Sequence, residues 1–207
     1  MSKLLIFLFV VSHVYSFSQE VELSATESAA FKSRVIKETK NLKSIRTDFV
    51  QYKHMEFLAN DIESTGKMYL DADGKLKWQY LKPNNYSIIF KNNQILINDD
   101  GDKSTVDGDQ KMFKKISMLI SGSVSGNLFD DEEFTISYFK SEGNILVKLS
   151  PINKTLKKYI GEVILKFPEQ EETVSEVKLI EPSGDYTLIK FQNKQLNATI
   201  DKKVFDH

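Results

Sequence analysis

The chain has no cysteine, and its 207 residues include only three histidines (His13, His54 and His207), one tryptophan and four prolines. Without cysteine there is no disulfide, no Cys-ligated zinc, no iron–sulfur cluster and no thiol nucleophile. The fold must therefore stand on its hydrophobic core. No two histidines are close enough in sequence to form a local metal motif, so neither a metal nor another cofactor is expected. Neither sign of charge dominates: 28 Lys+Arg face 29 Asp+Glu, for a net charge of −1. A nucleic-acid partner would call for a basic excess on one face, and none is expected. Long hydrophobic runs are also missing, with one exception at the N-terminus.

That exception is Leu4–Val11, preceded by Met1-Ser2-Lys3 and broken by Ser12, His13 and Tyr15. A basic start, a short apolar run and a small-residue exit describe a secretory signal peptide. The run is too short for a membrane span, which needs roughly 20 apolar residues. Residues 1–18 are expected to be removed after Ser18 or Ser16, leaving 19–207 as a single domain. A bacterial lipoprotein needs a Cys just after its signal peptide. This chain has none, so the mature protein is expected to be soluble and unanchored, in the periplasm.

Ser24-Ala25-Thr26-Glu27 has the spacing of a capping box, and Phe31, Val35 and Ile36 follow at helical spacing to about Lys40. From Ser44 the period becomes two. Ile45, Thr47, Phe49 and Gln51 share one face, and Ile62, Ser64, Gly66, Met68 and Leu70 share another. After the turn Asp71-Ala72-Asp73-Gly74, Leu76, Trp78 and Tyr80 alternate with Lys77 and Gln79. Further strands are expected around Tyr86–Phe90 and Ile95–Ile97, then at 134–139, 144–151, 159–167, 173–181 and 185–192. A second amphipathic helix is expected at 109–121, carrying Met112, Phe113, Ile116, Leu119 and Ile120. Short alternating strands separated by turns give an antiparallel meander with one solvated face. The fold class is α+β and mainly β, a large sheet that curls at this size with two amphipathic helices to cover its concave face.

Motifs for chemistry fail one by one. Gly122-Ser123-Val124-Ser125-Gly126 lacks the central Ser of a nucleophile elbow. Asn98-Asp99-Asp100-Gly101-Asp102 and Asp107-Gly108-Asp109 do not fit a calcium loop and read as solvated turns. No two carboxylates stand out as a glycosidase pair, and His54 reads as a surface or turn residue. On periodicity alone, Trp78 with Leu76 and Tyr80 is ordinary core. No catalytic residue is expected, and the chain is not read as an enzyme.

The order of elements resembles the LolA family of outer-membrane lipoprotein carriers. The resemblance rests on Thr47-Asp48-Phe49-Val50-Gln51 (an F-x-Q element), Gly66-Lys67-Met68-Tyr69-Leu70, and Leu76-Lys77-Trp78-Gln79-Tyr80-Leu81-Lys82-Pro83 (a W-x-Y-x-x-P element). It implies an open half-barrel of about ten to eleven strands, with lid helices over an apolar cavity. Acyl-binding residues would be Phe49, Met68, Leu70, Leu76, Trp78 and Ile88 on the wall, with Phe113, Ile116, Leu119 and Ile120 on the lid. The implied partners are an acylated lipoprotein or lipid cargo, an inner-membrane ABC transporter as donor and an outer-membrane acceptor, the carrier itself being a monomer. The alternative is a periplasmic sensor or regulatory module that reuses the same fold. One departure stands out. Typical carriers have Arg-Pro before the Trp, with the Arg helping to hold the lid, whereas this chain reads Leu70-Asp71-Ala72-Asp73-Gly74-Lys75. Arg46 is the nearest other arginine and does not match in position. N-terminal sequencing of the exported protein should begin at Gln19 or Phe17; an intact Met1 would overturn the signal-peptide reading.

Overall fold

The computed structural model describes residues 20–92, 94–107, 133–171 and 173–206. Helix α1, Ala25–Thr39, starts as its sequence dictates. The Ser24 side chain accepts from the Glu27 backbone N–H, while the Glu27 carboxylate accepts from the Ser24 N–H at 2.9 Å, closing the capping box. These bonds with Ser24 also hold the Glu27 carboxyl below its ordinary pKa. The helix buries Phe31, Val35 and Thr39 along one stripe. The Thr39 hydroxyl is satisfied by donating to the Val35 carbonyl at 2.6 Å.

Twelve strands are described. β1 (Val21–Glu22) precedes α1, and β2 (Ser44–His54) follows it. Then come β3 (Ile62–Asp71), β4 (Leu76–Lys82), β5 (Tyr86–Lys91), β6 (Gln94–Asp99) and β7 (Asp102–Asp107). The second series is β8 (Phe134–Ser141), β9 (Asn144–Pro151), β10 (Glu162–Pro168), β11 (Glu176–Ile180) and β12 (Tyr186–Leu196). All twelve form one antiparallel sheet in the order β1-β8-β9-β10-β11-β12-β2-β3-β4-β5-β6-β7. Two meanders, β2–β7 and β8–β12, thus meet at the long β12–β2 pairing. The sheet does not close, leaving β1 at one edge and β7 at the other. The second expected helix, at 109–121, lies outside the described residues.

Strand boundaries differ from the alternation pattern in instructive places. The strand expected at 159–167 is Glu162–Pro168, because Leu156–Lys158 forms a 3-10 turn instead. The Asn153 side chain steers that turn by accepting from the Thr155 N–H at 2.7 Å. The strand expected at 185–192 continues to Leu196 through a bulge between Gln192 and Gln195, where Asn193 takes a positive φ of 53°. In the acidic turn between β6 and β7, Asp100 and Gly101 both have positive φ, the geometry of a tight hairpin turn.

One face of the sheet holds the core. Residues from β2, β3 and β4 share a single buried cluster with residues from β8 to β12 and with Phe31 and Val35 of α1. Strands so far apart in one sheet share a core only if the sheet curls. Phe31 anchors the helix to the β8–β10 side, edge-on to Tyr138 at 6.1 Å and to Phe167 at 5.2 Å. On the β2–β3 side the controlling contact is a missing side chain. A Cβ at Gly66 would lie 2.0 Å from the Gln79 carbonyl oxygen and 2.5 Å from the Phe49 ring. Phe49 therefore rests where a side chain would stand. Gly66→Ala should destabilise the fold by about 2–3 kcal/mol, as overpacking does in a filled core, read as a lowered urea midpoint. An unchanged midpoint would show that Phe49 has room to move.

Candidate functional site

Directly paired residues project from the same face of a sheet, so the register of β2 to β6 defines rows across the concave side. One row is Ile45, Leu70, Leu76, Phe90 and Ile95. The next is Thr47, Met68, Trp78, Ile88 and Ile97. The third is Phe49, Gly66, Tyr80, Tyr86 and Asp99, and beyond it lie Gln51 and Ser64. The face grades from wholly apolar to polar along the strand direction, with the Trp78 row at the boundary.

The structure brings all six expected wall residues to this face. Phe49, Met68, Leu70, Leu76, Trp78 and Ile88 are each buried, the most exposed being Ile88 at 7%. The expected lid residues Phe113, Ile116, Leu119 and Ile120 lie outside the described residues. Three contributors were missing from the expected wall. Phe191 of β12 stands opposite Phe49 across the seam and edge-on to Trp78 at 6.1 Å. Tyr80 meets Phe49 edge-on at 5.3 Å, and Gln51 accepts the Tyr80 hydroxyl proton at 3.0 Å. Alternation placed Tyr80 beside Trp78 and Gln51 in line with Phe49. Nothing in sequence could put Phe191 there, because its position depends on which strand β2 chooses as its second neighbour.

Trp78 is held tightly. Its ring sits 4.3 Å from that of Phe49, and only 6% of the residue is exposed. The indole Nε1–H is shut off from solvent, and the Tyr80 hydroxyl is the polar group that interacts with it, its own proton going to Gln51. Burial pushes the Tyr80 hydroxyl above the ordinary phenol range, against the opposing pull of Trp78 and Gln51.

A groove of about 720 Å³ opens between the end of α1, the β10–β11 turn and β12. Leu42, Phe191 and Leu196 give it apolar lining, while Glu38, Glu171 and Lys194 are charged members of its wall. Lys194 is fixed there by Glu171 and by the Thr173 hydroxyl at 3.0 Å. Phe191 links this groove to the Trp78 cluster.

The residues weighed for other chemistry lie elsewhere. Arg46 is exposed on the opposite face of β2, its guanidinium 5.9 Å from the Tyr69 ring, and does not reach the concave side. His54 also alternates to that outer face, where it contacts Asp61 at 2.8 Å and stacks on Tyr186. Among the described residues, no group of three His, Cys, Asp or Glu side chains is placed to hold a metal ion. No helix among them is long and apolar enough to cross a membrane.

A curled antiparallel sheet, open at both edges and apolar over part of its concave face, is an open half-barrel. The chain belongs to the LolA family: the family model described as "Outer membrane lipoprotein carrier protein LolA" matches residues 40–207. It is 26% identical over 168 residues to an outer-membrane lipoprotein carrier protein of Methylococcus capsulatus, covering 79% of this chain and 76% of that one. Among solved structures it resembles MucB with a TM-score of 0.51 at 11% identity, over 89% of this chain and 64% of that one. A structure of the Pseudomonas aeruginosa MucA/MucB complex matches with a TM-score of 0.50 at 11% identity, over 87% of this chain and 61% of that one. At such identity these structures show a shared fold alone. The family is one of carriers, not of enzymes.

The Tyr80 shift has a definite sign. Above the unfolded phenol pKa, the unfolded chain loses a proton that the folded chain keeps, so stability falls as pH rises. Denaturant melts at pH 9, 10 and 11 should show a shallower alkaline loss for Tyr80→Phe than for wild type. Equal slopes would mean that Tyr80 ionises as freely in the fold as outside it.

Proposed function

We propose that this protein is a soluble periplasmic carrier, monomeric, that shields the acyl chains of lipoproteins or a related lipid and ferries them from the inner to the outer membrane. The observation that supports this most directly is the apolar row Ile45, Leu70, Leu76, Phe90 and Ile95 across β2 to β6, with Met68, Trp78 and Ile88 beside it, in a chain of the LolA family. Its donor would be an inner-membrane ABC transporter and its acceptor an outer-membrane component. The wall residues are Phe49, Met68, Leu70, Leu76, Trp78 and Ile88. Phe113, Ile116, Leu119 and Ile120 lie in the chain between β7 and β8, strands near opposite edges of the sheet, and would form the closing lid.

The energetics favour a closing design. At ~0.8 kcal/mol per methylene, one sixteen-carbon chain represents roughly 12 kcal/mol withdrawn from water. Two or three such chains would exceed the practical ceiling of about 18–21 kcal/mol for tight complexes. A carrier must also release its cargo. A face that buries itself when empty lowers the net gain on loading, because the protein's own side chains give up their contacts to the acyl chains. This work needs no catalytic group.

The alternative is a regulatory binding module on the same fold, for which the likeness to MucB supplies the architecture but no function. Native mass spectrometry with lipid extraction, on protein purified gently from the periplasm, separates the two. Acylated cargo should accompany wild type and fall at least tenfold in Trp78→Glu, provided circular dichroism shows the variant folded. A cargo-free protein held by a stable membrane-protein partner would favour the regulatory module.

A further inference from the structure

We propose that the connection between β9 and β10 is a docking patch that seats the protein reversibly on a bilayer surface of anionic phospholipids. The inference concerns the outside of the molecule and does not rest on what the concave face carries. Two observations support it. Residues 152–161 hold three lysines, Lys154, Lys157 and Lys158, and no carboxylate, in a chain whose net charge is −1. All three lysines are exposed. Lys148 and Lys166 are paired with Glu20 and Glu176, but among the described residues these three have no ion-pair partner. The same loop also exposes two large apolar side chains, Ile152 at 53% and Tyr159 at 54%.

The loop is built to hold these groups outward. Leu156 and Ile160 are buried beneath it, and the Ile160 N–H donates to the Leu156 carbonyl at 2.8 Å. Its ends are tied to the sheet, Ile152 N–H to the Glu133 carbonyl at 2.7 Å and Gly161 N–H to the Ile180 carbonyl at 2.8 Å. The Lys157 N–H donates to the Asn153 carbonyl at 3.0 Å, which places Lys154 one turn from Lys157 and Lys158. Nearby carboxylates do little to cancel the charge. Glu181 is taken by Lys53, Glu162 alternates to the convex face with Ile180 and Tyr186, and Glu133 is partly buried.

An anionic bilayer matches both parts of the patch. Phosphates draw the ammonium groups, while tyrosine and isoleucine settle at the headgroup boundary and the lysine stems lie along it. A specific protein interface would call for about 800 Å² and 20–30 residues a side, more than one short loop offers. Phe57, 78% exposed, lacks this charge match, since its hairpin carries Glu56 and Asp61.

The test is flotation of protein purified from the periplasm with vesicles of phosphatidylcholine, or of phosphatidylcholine and phosphatidylglycerol in equal parts. Wild type should float with the anionic vesicles and not with the neutral ones. Lys154→Gln, Lys157→Gln and Lys158→Gln together should weaken that binding by about fivefold per lysine, on the order of a hundredfold in all. Arginine at the same three positions should preserve it, and Ile152→Ser with Tyr159→Ser should weaken it. Equal flotation with both vesicles, or a triple Gln variant that binds like wild type, would overturn the proposal. Wild type that binds neither vesicle would overturn it too, and would turn attention to an acidic protein partner. Should the triple variant not fold, salt decides with wild type alone: binding should fall steeply as ionic strength rises, and insensitivity to salt would overturn the proposal. A protein found free of acyl cargo would defeat the carrier reading and leave this result standing.

Discussion

Phe49 lying on the bare backbone of Gly66 is the contact on which the concave face depends. Phe49 stands in β2, the strand that joins the two meanders, with Phe191 of β12 directly opposite. Its ring reaches over β3 because Gly66 presents no Cβ, and there it meets Trp78 at 4.3 Å and Tyr80 at 5.3 Å. One aromatic ring thereby ties strands from both meanders together at the middle of the apolar face. Any side chain at position 66 would push that ring off the β3–β4 ladder, and Trp78 would lose the neighbour that sets its tilt.

The two sides of the molecule solve different problems. On the β8–β10 side, α1 packs on the sheet through Phe31 against Tyr138 and Phe167 and begins with a capping box that fixes its first turn. On the β2–β4 side, Phe49, Met68, Leu70, Leu76 and Trp78 join that same core from the sheet. The outer face spends its polar side chains on local pairs such as Lys166 with Glu176 at 3.1 Å. It is the solvated side that the period-two pattern requires.

Much of this architecture was legible in the residues, for physical reasons that differ by element. The capping box of α1 is a local motif, so its start could be read from four residues. Alternation placed Met68 with Leu70 in β3, and Leu76 with Trp78 in β4, because strand period depends only on the chain's own pleat; that these faces join Phe49 in one wall was what the family resemblance implied. Pairing between distant segments was not legible. That β12 lies against β2, bringing Phe191 to Phe49, reflects which apolar faces bury each other. The boundaries of β10 and β12 were misplaced for smaller causes, a 3-10 turn steered by Asn153 and a bulge enabled by Asn193. The meeting of Tyr80 with Gln51 was invisible as well, since which polar groups pair across strands is decided in three dimensions.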